Sequence, residues 1–450
     1  MITHKLGYKT GLKGLVLTAF LSMVSVGAYA ADGAPVLDTG NTAWIITSTV
    51  LVLLMSIPGI ALFYGGLVRQ KNVLSLIMQT LFIVGVVSLL WVIFGYSWAF
   101  GTGFAESGNP LGALIGGFDK CFLNGITVDS VESSGIPTYT WVMFQCMFAL
   151  ITPALILGAF AERIKFKGYM IFIILWVIVA YFPMAHWVWG GGFLQQMGAI
   201  DFAGGTVVHI NAGVSALVMA LMIGKREDYR VGHPIIPHNI TLVFMGTCFL
   251  WLGWFGFNAG SGLKADGIAA NAFLVTHVAT ATAAVTWMVI DWVFNKKPTT
   301  VGACTGAVAG LVAITPAAGT VGLLGAFAIG IITPVVCFFM VAVIKPKYKY
   351  DDALDAFGVH GIGGIVGSVL SGVFATQFIT GSEGQQGALL YGDWHQLWVQ
   401  IVATLFTVVY SGVVTFILYK VVDKLVGMRV DKRVEEEGLD VYEHGESAYN

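Results

Sequence analysis

Apolar stretches of about twenty residues recur along most of this chain, and they constrain its fold more than any other feature. A helix of that length crosses a hydrocarbon layer of roughly 30 Å. Only 11% of the 450 residues are charged, whereas a soluble domain has about 25%. Within a bilayer the backbone must bond to itself, as helices or closed barrels, and these stretches lack the alternation of barrel strands. We therefore predict an all-α membrane protein that spans the lipid bilayer many times.

Eleven transmembrane helices are predicted, with the N-terminus outside and the C-terminus in the cytoplasm. This orientation places thirteen lysines and arginines in the inner loops and two in the outer loops, in keeping with the positive charge of cytoplasmic loops. The predicted spans are 43–66, 74–100, 138–160, 168–189, 203–224, 238–259, 267–292, 300–318, 321–344, 356–377 and 396–425.

The first apolar run has the pattern of a secretory signal. Lys5, Lys9 and Lys13 precede the run, and small residues follow at "AYA", residues 28–30. We interpret residues 1–30 as a cleaved signal peptide, the alternative being an uncleaved first helix. Residues 31–428 then form the membrane domain, and 429–450 form a cytoplasmic regulatory tail. The predicted location is the inner membrane, with a periplasmic N-terminus after cleavage.

Two segments far apart in the chain repeat a short pattern. "VHINAGV" (208–214) and "VHGIGGI" (359–365) share Val-His and a glycine four residues after the histidine. They lie in spans five and ten, and an offset of five spans reverses the direction of crossing. This predicts an inverted repeat, about 43–224 and 238–377, with the site at the repeat interface and span eleven left over.

His209 and His360 occupy matched positions in these repeats, where an ionisable residue is costly unless it lines a pathway. A metal site is poorly supported, because no Asp, Glu or Cys lies within a turn of both. We instead expect a hydrogen-bonded imidazole pair that handles a small weak acid or base. A net charge of −2 argues against nucleic acid as a partner. No nucleophile with a base and an orienting group indicates an enzyme.

Aromatic side chains near the outer ends of three spans could attract a cation, since aromatic faces bind cations with about 0.5–2 kcal/mol each. The interfacial aromatic belt of any membrane protein is the alternative. Asp201 at the start of span five is interpreted first as a helix cap and second as a source of cation attraction. The aromatic candidates are Phe144, Phe148, Trp189, Trp254 and Phe257, and Ser261 lies beside them as an acceptor.

Five segments of the chain have specific sequence patterns: "DFAGGTVVHINAG" followed by "GKR", "IPGIALFYGGLVRQKN", "GAFAERI", "GWFGFNAGS" and "DAFGVHGIGGIVG". With them the chain resembles the ammonium transporter family (Amt/MEP/Rh) of the bacterial type, from about residue 41 to the end. The resemblance implies eleven helices with a five-plus-five inverted repeat, a homotrimer with one pore per subunit, and transport of ammonium or ammonia, with methylammonium as a related substrate and no cofactor.

The same resemblance implies residue roles. His277 in span seven matches no role in the family, and a packing or trimer-interface position is the default. Asp201 would support the cage from behind the pore. The others are an outer ammonium cage of Phe144, Phe148, Trp189 and Ser261, a gate of Phe148 and Phe257, and a pore lined by His209, His360, Trp254 and Thr315.

The resemblance also suggests a mechanism and a partner. The cage would recruit the cation, deprotonation would occur near the gate, and ammonia would pass the histidines while the proton moves separately. The tail segment "EGLDVYEHGESAY" (437–449) would couple subunits and meet a PII-type signal-transduction protein. A neutral ammonia gas channel and an ammonium sensor acting through its tail stay open as alternatives.

Overall fold

The computed structural model describes residues 35–233, 235–381 and 384–449. The chain divides into two units, Met1–Val36 and Leu37–Asn450, and the features below belong to the second. The predicted signal peptide lies outside the described residues. Within them the regular structure is helical, with two isolated β-bridges and no strand, which confirms the all-α class.

In the described part of the chain, ten helices are long and apolar enough to cross a membrane, and one shorter apolar helix separates the seventh from the eighth. We number all eleven in chain order. They are α1 (Thr39–Leu67), α2 (Gln70–Phe100), α3 (Thr138–Phe160), α4 (Phe166–Gln196), α5 (Gly205–Ile223), α6 (Ile240–Gly260), α7 (Gly267–Asn295), α8 (Thr300–Ile314), α9 (Leu323–Tyr348), α10 (Phe357–Phe374) and α11 (Trp394–Val426).

The short helix is α8, which has 15 residues where the sequence predicted a span over 300–318. The helix stops because Pro316 has no N–H with which to continue the ladder. Residues 315–320 turn instead, and the Pro316 carbonyl accepts a hydrogen bond from Phe202 N at 3.1 Å. A bilayer crossing needs about 20 residues. The count of eleven crossings and the sides of the two termini therefore stay predictions.

The helices differ strongly in how much of their surface is covered. In α3, 94% of the most apolar eighteen-residue stretch is buried, and in α5 the share is 78%. In α2, α7, α9 and α11 it is only 33%. α3 and α5 therefore lie in the interior of the bundle, while the other four helices lie at its periphery.

Local sequence sets the start of several membrane helices. A side-chain oxygen just before the first turn accepts a backbone N–H that the helix itself cannot bond, a cap that contributes about 1 kcal/mol. Caps of this kind are Asp38 for α1, Asn239 for α6, Asp266 for α7, Thr299 for α8 and Asp393 for α11.

The C-terminal tail, described here over residues 429–449, supplies caps to two helices that lack a side-chain cap of their own. Asp440 accepts hydrogen bonds from Leu74 N at 3.0 Å and Ser75 N at 2.8 Å in the first α-helical turn of α2. Glu443 accepts one from Phe166 N, the first residue of α4, at 2.9 Å. Carboxylates stabilise helix N-termini because the helix dipole is positive there. We call the end of the bundle where α2 and α4 begin the tail face.

An ion network is buried at the tail face. Glu162 lies 2.8 Å from the Arg226 guanidinium and 3.0 Å from that of Arg69, and Arg226 also binds Asp351 at 2.8 Å. Burial would raise the pKa of Glu162, but the two guanidinium groups outweigh burial and lower the pKa to about 2. A buried charge of this kind is tolerated only while its partners remain in place.

Candidate pore and substrate site

Four aromatic rings meet where α3, α4 and α6 approach one another, toward the end of the bundle opposite the tail face. Phe148 is central, with its ring centroid 5.0 Å from Phe144, 5.7 Å from Trp189 and 4.4 Å from Phe257. The three phenylalanines are buried, whereas Trp189 is half-buried. The aromatic residues predicted for the cage and the gate therefore form one contiguous cluster.

Ser261, the serine predicted for the cage, lies one turn beyond Phe257 and is half-buried. Its hydroxyl donates a hydrogen bond to the Phe257 carbonyl at 2.8 Å. A hydroxyl has one proton and two lone pairs, so this oxygen can still accept a hydrogen bond. An acceptor beside aromatic faces suits a small cation that carries N–H groups.

The two predicted pore histidines are adjacent in the structure. The His209 ring lies between Trp254, at a centroid distance of 5.4 Å, and His360, at 5.5 Å, and both neighbours are nearly parallel to it. Phe257 lies 6.0 Å from His209. The histidine pair therefore lies next to the aromatic cluster.

The two imidazole rings are stacked at an interplanar angle of 15°, which corrects the predicted hydrogen bond between them. Both ring nitrogens of His209 and Nδ1 of His360 are buried without a hydrogen-bond partner among the described residues. They border a narrow cavity in which about 10 Å³ is open to the centre of a water-sized sphere. One water molecule needs roughly that much room and two or more polar partners. The cavity therefore fits one water-sized polar molecule.

A hydrogen bond to Thr315 holds the Trp254 ring in place. Its indole N–H donates to the Thr315 hydroxyl at 2.8 Å, and that hydroxyl donates to the Leu311 carbonyl at 2.8 Å. Thr315, predicted to line the pore, thus holds the ring that stacks on the first histidine.

His209 lies in a turn of π-helix, Gly205–Ile210, that opens α5. Asp201, eight residues before the histidine, bonds four backbone N–H groups and the Thr206 hydroxyl with its carboxylate. Its own carbonyl accepts the indole N–H of Trp189 at 2.8 Å. Asp201 thereby joins the cage tryptophan to the helix that carries His209.

Asp352 repeats this arrangement for the second histidine, and the sequence analysis missed it. It lies eight residues before His360 and accepts hydrogen bonds from Ala356 N at 3.1 Å and Phe357 N at 2.8 Å, where α10 also opens with a π-helical turn. Burial raises the pKa of Asp352 to about 6. The matched Asp-to-His spacing in the two repeats was the signal available in the sequence.

The glycines shared by the repeats lie where α5 and α10 cross. A Cβ atom on Gly213 would lie 2.1 Å from Gly361 N, and one on Gly364 would lie 3.1 Å from Ile210 N. Aligning the two histidines matches Gly213 with Gly364 and Ile210 with Gly361. Such reciprocal contacts are produced by a two-fold relation between the helices. They agree with the predicted inverted repeat.

A wider cavity of about 380 Å³ reaches His360 from the tail face. It shares four lining residues with the narrow cavity, so the two lie next to each other; these are Phe63, Tyr64, Val308 and His360. Lys345 and Asp355 line it and form an ion pair at 2.5 Å. These two residues were not singled out from the sequence. A polar vestibule thus adjoins the apolar passage.

Among the described residues, no group of three or more His, Cys, Asp or Glu side chains could hold a metal ion. His277 is exposed on the surface of α7, with its ring 5.5 Å from that of Trp251. It has no part in the histidine and aromatic cluster described above.

Residues 43–449 match the model of the Ammonium Transporter Family. The chain belongs to this family. It is 49% identical to an ammonium transporter of Aquifex aeolicus (strain VF5), over 98% of this chain and 99% of that protein. It is 47% identical to an ammonium transporter of Bacillus subtilis (strain 168), over 92% of this chain and 99% of that protein.

Two solved structures agree with the fold. Saccharomyces cerevisiae Mep2 is similar with a TM-score of 0.80 and 35% identity, covering 88% of each chain. A structure described as "Sensor Amt Protein" is similar with a TM-score of 0.81 and 31% identity, covering 90% of this chain and 98% of that one. The resemblance found in the sequence motifs is thus confirmed.

Proposed function

We propose that this family member moves ammonium across the membrane by separating it into ammonia and a proton. The observation that carries the proposal is the stacked pair of His209 and His360. Both ring nitrogens of His209 and Nδ1 of His360 have no hydrogen-bond partner in the described part of the chain, and the two residues border a cavity of about 10 Å³ next to the aromatic cluster. A passage of that size and polarity suits neutral ammonia.

The first step is recruitment of the cation at Phe144, Phe148, Trp189 and Ser261. Ammonium is an acid of roughly lysine strength, pKa about 10, so it is charged at neutral pH. The aromatic faces stabilise the cation by about 0.5–2 kcal/mol each. The Ser261 oxygen accepts one N–H and replaces part of the lost hydration.

The second step is deprotonation near the gate. The rings of Phe148 and Phe257, 4.4 Å apart, close the direct path and exclude water. Taking an ion into the apolar passage beyond them would cost far more than taking in a neutral molecule. The proton is transferred to a ring nitrogen of His209, which becomes an imidazolium, and it moves on along the imidazoles toward the vestibule. Neutral ammonia follows and forms hydrogen bonds with the imidazole nitrogens. Potassium has no proton to lose, so this scheme rejects it where size alone would not.

The orientation and location are part of the same proposal. The tail face lies in the cytoplasm, the predicted signal peptide 1–30 is removed, and the protein resides in the inner membrane. Basic residues concentrated near the tail face support this orientation. They include Arg69, Lys71, Arg163, Lys165, Lys225, Arg226 and Arg230.

A homotrimer is proposed as the assembly. His277 is exposed on α7 of the single chain, and an ionisable side chain that faces lipid is costly. Contact with a second copy would cover it. We further propose a PII-type signalling protein as a partner at the tail face, where the 380 Å³ vestibule opens.

The test is current across membranes that contain the purified protein, after addition of ammonium and then of potassium. We expect current with ammonium alone, altered selectivity or rate in His209→Ala and His360→Ala, and no change in the control His395→Ala, whose side chain is exposed outside the pore. Alkalinisation of vesicles without current would support a neutral ammonia channel. Wild-type rate and selectivity in both pore variants would refute the role of the histidine pair.

A further inference from the structure

α11, the helix outside the predicted repeats, carries an unusual row of polar side chains. The six residues are spaced three or four apart, so they lie along one face of the helix. All six are buried, which means that this face is turned toward the protein. They are Gln396, Gln400, Thr404, Thr407, Ser411 and Thr415.

Three members of this row pair with the segment that carries the first pore histidine at a distance of 200 residues along the chain. The Ser411 hydroxyl donates to Asn211 Oδ1 at 2.8 Å, and the Thr415 hydroxyl donates to Ser215 Oγ at 2.8 Å. Gln400 pairs with the backbone of residue 200, which precedes α5. The equal offset of the Ser411 and Thr415 contacts means that α11 runs parallel to α5 over this turn.

Gln400 makes three hydrogen bonds with its side-chain amide. Its side-chain oxygen accepts from Ile200 N at 2.6 Å, and its side-chain nitrogen donates to the carbonyls of Ile200 at 2.8 Å and Ser368 at 2.9 Å. One amide thus bonds three backbone groups, two at Ile200 in the non-helical segment before α5 and one on α10. Only an amide side chain offers an acceptor and two donors in this arrangement.

The position of these contacts in the chain gives them a functional consequence. Ile200 directly precedes Asp201, whose carbonyl holds the Trp189 indole and whose carboxylate caps the turn with His209. The backbone before α5 is not helical, so its N–H and C=O groups need partners from elsewhere when buried. Gln400 provides those partners one residue from Asp201.

We propose that Gln400 is a positioning residue of the pore, which fixes Asp201 and through it sets the place of Trp189 beside Phe148. This inference rests on the proposed function, because it assumes that the cluster around Phe148 binds the cation. A shift of Ile200 displaces Trp189 and weakens binding, while the passage beyond the gate keeps its dimensions. The affinity for ammonium changes more than the maximal rate.

The experiment compares ammonium-driven current in the wild type, Gln400→Met and Thr404→Val. Methionine keeps the volume of the side chain but cannot replace the amide. Thr404 lies one turn along the same buried face, and its hydroxyl has no partner among the described residues, so it is the matched control. We expect the ammonium concentration that gives half-maximal current to rise about tenfold in Gln400→Met, because the substitution removes all three hydrogen bonds and part of that loss weakens cation binding. The change in maximal current should be smaller.

Gln396→Met is a second control, which shows whether the loss of any amide from this face of α11 impairs folding. Among the described residues its amide donates to the Gly198 carbonyl alone, at 3.0 Å and three residues before Asp201, so a weaker rise in the half-saturating ammonium concentration is expected. The proposal would be overturned if Gln400→Met and Thr404→Val reached half-maximal current at the same ammonium concentration. A fall in maximal current at unchanged half-saturation would overturn it too, since that is the result of a purely structural role. Absence of ammonium current in the wild type would instead refute the proposed function.

Discussion

The crossing of α5 and α10 at Gly213 provides the sharpest test of how packing sets the pore. Gly213→Ala would add a Cβ atom 2.1 Å from Gly361 N and 2.3 Å from Gly361 Cα. Both are backbone atoms of the turn that carries His360, so no side chain can move aside. The two helices must separate for the methyl group to fit.

The size of the separation follows from the contact distance. Ordinary van der Waals contact begins at 3.4 Å, about 1.3 Å beyond the 2.1 Å that the added Cβ would have. Overpacking of this kind costs about 1–3 kcal/mol, against a gain of about 1 kcal/mol for alanine over glycine inside a helix. We expect net destabilisation of up to about 2 kcal/mol. The His209–His360 stack, at 5.5 Å, should open as well.

Gly412→Ala on α11 is the control, because its Cβ would meet only Val214 Cγ1 at 3.7 Å, an ordinary contact. This variant should be slightly more stable than the wild type, because alanine has the higher helix propensity and the added methyl group meets no steric clash. Thermal unfolding of the purified variants and current in reconstituted membranes measure the two effects. The reasoning fails if Gly213→Ala is as stable as Gly412→Ala and keeps wild-type rate and selectivity.

Three further changes test other contacts. Glu162→Gln should destabilise by about 3 kcal/mol because it removes the buried carboxylate that Arg226 and Arg69 share, leaving Asp351 as the buried partner of Arg226. Since the folded pKa of about 2 lies below the usual 4.5, the stabilisation by Glu162 is complete above pH 4.5 and is lost as pH falls toward 2, so thermal unfolding against pH should be flatter in the variant. Trp254→Phe removes the donor to Thr315 and should alter ion selectivity in current recordings, whereas unchanged selectivity would show that the indole N–H is dispensable. Asp440→Ala should cost about 1 kcal/mol of capping and make the tail more sensitive to protease, and equal digestion rates would contradict this.

Much of the fold could be predicted because the signals are local. Long apolar runs indicated the helices, and ten of the eleven were predicted within four residues at both ends. The exception is α4, which continues to Gln196, past the predicted end at 189. α8 ends at Ile314, four residues before its predicted end, and a proline follows two residues later.

The site was predictable to the extent that it depends on the repeat. The shared pattern around His209 and His360 implied that the two side chains converge, and they do. Their stacked geometry was not predictable, because it depends on Trp254 and thus on a contact between α5 and α6. The π-helical turns were also missed, since hydropathy does not report which carbonyl each N–H bonds.

Long-range polar contacts were the part least accessible from the sequence. The hydrogen bond between Leu74 and Asp440 joins residues 366 positions apart, and no periodicity marks either one. The pairing of α11 with α5 had no counterpart in the repeat, which left that helix without a predicted role.

The caps that the tail donates to α2 and α4 have a consequence for the order of biosynthesis. Both helices enter the membrane early, but Asp440 and Glu443 follow every membrane helix in the chain. During translation the two N-termini remain without these partners until the last helix has left the ribosome. Docking of the tail is thus a late event that only a fully inserted bundle can complete, and a chain stalled before this point presents uncapped helix ends to the quality-control machinery of the cell.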